Sequence, residues 1–76
     1  MNDSEIDEVV LSVVEASWRK VAIIIVKTAD KLGVQLSEGE AGHHSIAVRI
    51  EALVRDGRLV AQGDIRKWRH SEVRCP

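Results

Sequence analysis

Phenylalanine and tyrosine are absent from this chain, and Trp18 and Trp68 are its only aromatic side chains. The core must therefore be aliphatic. A chain of 76 residues is also near the small end of what folds alone, burying only about 60–65% of its unfolded surface. Cysteine is nearly absent too. Cys75 stands alone, which excludes an intramolecular disulfide and a zinc site built from several cysteines, and suits a reducing cytoplasm. The longest aliphatic run, Val21-Ala22-Ile23-Ile24-Ile25-Val26, is six residues, against the ~20 needed to span a bilayer. The first residues are acidic rather than basic, so no secretory signal is read there. Neither a nucleotide-binding glycine loop nor a hydrolase elbow occurs, and no constellation suggests catalysis. The expectation is a single cytoplasmic domain over 1–76, not an enzyme, with no cofactor, no small-molecule ligand and no membrane association.

A strong excess of either charge is also lacking. The net charge of −1 argues against strong non-specific nucleic-acid binding by the chain as a whole. The distribution is uneven, however. Residues 1–16 hold Asp3, Glu5, Asp7, Glu8 and Glu15 with no base, a net −5. Residues 57–76 hold Arg58, Arg66, Lys67, Arg69 and Arg74 against Asp64 and Glu72, a net +3.

What the chain does contain is patterned apolar residues, 45% of the total, too many for wholesale disorder. Ile6, Val9, Val10, Val13 and Val14 recur with helical spacing behind a cap at Asp3 or Ser4, predicting a helix over about 4–15. Glu5, Asp7 and Glu8 sit where carboxylates favour the positive end of the helix dipole. After a break at Ala16-Ser17, Ser17 is a candidate cap for a second helix over about 18–32, stopped by Gly33. Trp18, Val21, Ala22, Ile25, Ala29 and Leu32 form its expected core stripe. Ile23, Ile24 and Val26 fall off that stripe. The β-branched content of 21–26 leaves a buried strand as the rival reading. Val34–Ser37 alternates like a short strand, and Glu38-Gly39-Glu40-Ala41-Gly42 reads as a flexible acidic loop. Such a connection is longer than the ~3–4 residues of a tight helix-turn-helix turn.

A third helix is predicted over about 43–56, with Ile46, Ile50, Leu53 and Val54 on one face and Asp56-Gly57 as its stop. The period then changes to two. Leu59 and Ala61 share a face, Gly63-Asp64 turns the chain, and strands over about 58–62 and 70–74 form a hairpin in which Val73 joins Leu59 against the helices. Three helices followed by a hairpin predict an α+β domain of the winged helix-turn-helix type, with Ile65–Arg69 in the wing.

The string Arg49-Ile50-Glu51-Ala52-Leu53-Val54-Arg55-Asp56-Gly57-Arg58-Leu59 resembles the helix-to-wing segment of bacterial winged-helix proteins. The tail, with Gly63-Asp64-Ile65, Trp68-Arg69 and Ser71-Glu72-Val73-Arg74, is similar to a small bacterial domain family of unknown function ending in G-x-L-x-x-x-G-D…S-E-V-R-L-P. Here Cys75-Pro76 replaces the leucine-proline. The match covers roughly the last thirty residues. It implies a fold but no functional residues, because that family has no assigned activity.

Arg66, Lys67, Trp68, Arg69 and His70 form the strongest candidate site, since bases on a hairpin tip pair with phosphates and an indole stacks on a base. The plainer alternative is a solvated turn with Trp68 folded back as cover. The third helix offers Arg49 and Arg55 as its strong donors to base edges, but Glu51 repels phosphate. Duplex DNA is the expected partner on this reading. The competing expectation is a protein-interaction or dimerisation module that uses Ile23, Ile24 and Val26 as an exposed patch, unless the three-helix core covers them. His43-His44 could start a metal site with His70 or Cys75, but adjacent histidines do not share a helical face and no metal is expected.

Overall fold

A computed structural model describes residues 3–33 and 39–76. The element order is α1 (Asp3–Val13), β1 (Arg19–Lys20), α2 (Val21–Leu32), α3 (Gly39–Arg55), β2 (Val60–Gln62) and β3 (Glu72–Arg74). The architecture is α+β: three helices and a small antiparallel sheet in the order β1-β3-β2. Val73 is the centre of that sheet. It lies opposite Arg19 on one side and Ala61 on the other, and it is completely buried.

Each helix buries one aliphatic face, and together these faces make the core. Ile6, Val10 and Val13 come from α1, with Val14 just after it; Ile46, Ala47, Ile50 and Leu53 come from α3. Leu59 and Val73 close the core from the sheet side. The tie between α1 and α3 is polar as well as apolar. The Arg49 guanidinium donates from Nε and Nη2 to the two carboxylate oxygens of Asp7, both at 2.9 Å. Its Nη1 lies 3.5 Å from Asp3.

The second helix departs most from expectation. It begins at Val21, not at 18, and Ser17 does not cap it. Lys20 occupies the capping position with an extended backbone and no side-chain hydrogen bond. Residues 19 and 20 are instead a strand, because Arg19 and Lys20 pair with Val73 and Glu72. The opening N–H groups of a helix have no partner within it and must be satisfied elsewhere. Here Val21 N–H donates to the Ser71 carbonyl and Ala22 N–H to the Trp68 carbonyl, both at 3.0 Å.

Moving the helix start also moves the core stripe. Val21, Ile24, Ile25, Thr28 and Ala29 are buried, the i, i+3, i+4, i+7, i+8 pattern of one helical face. Ile24 is therefore core, contrary to its expected place off the stripe, whereas Trp18 and Ala22 are only partly covered. Trp18 precedes β1, and the Arg74 guanidinium lies 5.1 Å from its ring centroid, within cation–π range.

Other boundaries differ as well, and α1 ends at Val13 rather than near 15. The third helix begins at Gly39, so residues 39–42, read from sequence as loop, belong to its first turns. The hairpin strands are shorter than 58–62 and 70–74. Arg58 and Leu59 are taken up by the end of α3, where Arg58 N–H and Leu59 N–H both reach the Leu53 carbonyl and Gly57 N–H reaches Val54. Gly57, at φ 78°, makes this reversal, the left-handed cap that glycine adopts without steric penalty. The strand expected at Val34–Ser37 lies outside the described residues. Among the described residues, no helix is long and apolar enough to cross a membrane.

Candidate functional site

The segment joining β2 to β3 is a chain of hydrogen-bonded turns. Asp64 starts it: its carboxylate accepts from Arg66 N–H at 3.1 Å, and its carbonyl accepts from Lys67 N–H at 2.8 Å. The Lys67 carbonyl then accepts twice, from His70 N–H and from the Ser71 hydroxyl, each at 2.9 Å. Ser71 is buried and satisfied by that bond. Gly63 permits the ends to meet. At φ +80°, a Cβ placed there would come 2.6 Å from the His70 carbonyl oxygen.

These bonds fix the direction of the side chains. Trp68 is half-buried and packs against the core, while Arg66, Lys67, Arg69 and His70 are exposed. The five residues line a shallow, open depression of about 350 Å³. The Asp64 carboxyl is held below its ordinary pKa, chiefly by the Arg66 N–H bond and further by the charges of Arg66 and Lys67. Its side chain lies 3.5 Å from the Arg66 guanidinium. That guanidinium is 80% exposed, so the pairing leaves most of it open to solvent.

The structure does not bring Arg49 to this loop. Its guanidinium is engaged by Asp7 and Asp3 on α1, and the hydrogen bond to Asp7 raises its pKa. Arg55, in the last turn of α3, is exposed, with no ion-pair partner among the described residues. Val48, also on α3, is 40% exposed. His43 and His44 lie inside α3 rather than at its start. No group of three or more His, Cys, Asp or Glu able to hold a metal ion occurs among the described residues.

On α2 the expected patch divides. Ile24 is fully buried and so leaves the alternative interface, whereas Ile23 is 44% and Val26 59% exposed. With Ala22 and Lys27 they outline a second depression, of about 330 Å³. Sequence reasoning missed that this depression abuts the basic loop, joined through the Ala22 N–H bond to Trp68. Nothing local signals a contact between positions so distant along the chain. Glu15 and Arg19 pair at 2.9 Å across the non-helical link from α1 to β1, so helical i, i+4 spacing does not account for the contact. The Cys75 thiol is half-buried and donates to the Val14 carbonyl at 3.5 Å, a structural placement for the lone cysteine.

No protein-family model, no curated protein and no solved structure matches the chain.

Proposed function

We propose that this chain is a non-catalytic winged-helix module that binds nucleic acid through the β2–β3 loop, its wing. Three helices, a strand ahead of the second and a hairpin after the third support the fold reading, as does the sequence resemblance over Arg49–Arg74. One observation carries the functional reading: Arg66, Lys67 and Arg69 are exposed together on a loop already ordered by turn hydrogen bonds. Pre-ordering reduces the entropy lost when side chains are fixed on binding. Their chemistry fits phosphate oxygens, which position a protein without reporting sequence.

The engagement of Arg49 by α1 weakens base reading by α3, so the reading is of backbone binding with little sequence discrimination. Fluorescence anisotropy with a short labelled duplex at low salt tests it. About three neutralised phosphates imply that log K falls with log salt at a slope of roughly −2 to −4. Replacing Arg66, Lys67 and Arg69 together by alanine abolishes binding, and Arg49→Met leaves it unchanged. Failure of any duplex to bind at low salt removes the proposal.

A further inference from the structure

The outward face of α2 is a second feature that phosphate binding does not explain. Val21, Ile24 and Ile25 are buried and Leu32 is partly buried, yet Ile23 and Val26 are exposed. β-branched residues are mediocre helix formers, so at exposed positions they weaken α2 intrinsically with no packing in return. Spaced i, i+3, their side chains are about 5–6 Å apart on one face. That spacing matches the aliphatic anchors of a helix laid against a groove. The depression they form with Ala22 and Lys27 is walled almost entirely by apolar atoms.

The surroundings of this apolar floor are basic. Lys27 forms part of its wall. The loop bearing Arg66, Lys67 and Arg69 abuts its N-terminal end through the Ala22–Trp68 hydrogen bond. Lys20 and Lys31 are exposed at the two ends of α2. None of Lys20, Lys27, Lys31, Lys67 and Arg69 is in an ion pair among the described residues. The nearby acids are Asp30, Glu15, Glu72 and Asp64; Glu15, which feels the Lys27 charge, is paired with Arg19, Glu72, opposite Lys20, accepts from Gln62, and Asp64 is engaged by Arg66. A lining helix that was basic would meet like charge, and a wholly apolar one would leave these bases uncompensated. We propose that the outward face of α2 and the adjoining loop form a docking surface for an acidic amphipathic helix of a partner protein, with two aliphatic anchors over Ile23 and Val26 and carboxylates toward the loop. Because Lys67 and Arg69 serve both surfaces, such a helix competes with nucleic acid.

The test is a ¹H–¹⁵N titration of the whole chain with a synthetic amphipathic helix carrying leucines at i, i+3 and i+7 and glutamates on its flanks. Amide shifts are expected over 20–31 and 64–71, with affinity weakening as salt is added. The Ile23→Ser/Val26→Ser protein, whose substitutions are both at exposed positions and whose helicity is checked by circular dichroism, is expected to bind at least about tenfold more weakly. Its duplex binding is expected to be unchanged, which separates this surface from the phosphate-binding reading. The proposal is overturned by equal binding of the same peptide with lysines for glutamates, by no shifts with the acidic peptide, or by affinity indifferent to the double substitution. Binding to anionic phosphatidylglycerol vesicles without peptide binding assigns the face to lipid and refutes the helix. Sedimentation showing self-association that the double substitution removes assigns it to a second copy, with the same consequence.

Discussion

Thr28 sits on the buried face of α2, and its hydroxyl has no hydrogen-bond partner among the described residues. A buried polar group without a partner loses its interactions with water and gains nothing in exchange. Valine has nearly the same shape and no such group. Thr28→Val is therefore expected to stabilise the fold by about 1 kcal/mol, read as a higher urea midpoint at unchanged m-value. Gly63 offers the opposite case. Its positive φ alone disfavours any side chain, and the His70 carbonyl oxygen is backbone that cannot swing aside. Gly63→Ala is expected to destabilise by about 3 kcal/mol. Gly57→Ala is the control: φ is equally positive there but a Cβ meets nothing within 4 Å, so only the ~1–2 kcal/mol backbone penalty applies. Equal midpoints for the two alanine variants would contradict the close approach at Gly63.

At the level of elements, α2 and the β2–β3 loop hold each other in place. Trp68 and Ser71 supply carbonyls to the first amides of α2, so loosening the loop uncaps the helix. The carboxylate of Asp64 organises that loop, with its folded pKa lowered principally by the Arg66 N–H bond. The Glu15 carboxyl is likewise lowered, first by its hydrogen bond from Arg19. A lowered folded value means that the stabilisation is complete above the unfolded pKa, about 4 for carboxylates. It is lost as pH falls through the lowered value. Hydrogen exchange at Val21 and Ala22, corrected for its intrinsic pH dependence, should thus accelerate only on the acid side of that range. Asp64→Asn should flatten the acid response, since an amide oxygen keeps the turn but does not titrate.

The same coupling explains what was legible in the sequence. The α1 face, the Ile46-Ile50-Leu53 face and the Leu59–Val73 closure follow from local periodicity. The strand at Arg19–Lys20 does not, because two exposed polar residues become a strand only by pairing with Glu72 and Val73. With β1 hidden, the start of α2 was misplaced, and so was Ile24. On the candidate site, the basic loop was readable as a cluster of charges. The Arg49–Asp7 bond was not, because it joins residues 42 positions apart on different helices.

Across the whole molecule, the Cα radius of gyration of 11.1 Å agrees with the roughly 11 Å of a close-packed chain of this length. Little core stands behind that compactness. For 76 residues, typical stability is about 4–11 kcal/mol, and Ile50, fully buried in α3, touches the middle of the core. Ile50→Ala is expected to remove about 2–5 kcal/mol, which differential scanning calorimetry should register as a large drop in Tm or the loss of a cooperative transition. The position of β3 has a further consequence. Although it is the central strand, it follows both its neighbours in the chain, so during synthesis β1 and β2 leave the ribosome with no strand between them. The α2 cap, Val73 and the ordered basic loop all depend on residues translated at or after position 68. Helices can form as they emerge, but neither β1 nor β2 can pair until Glu72–Arg74 is available to both.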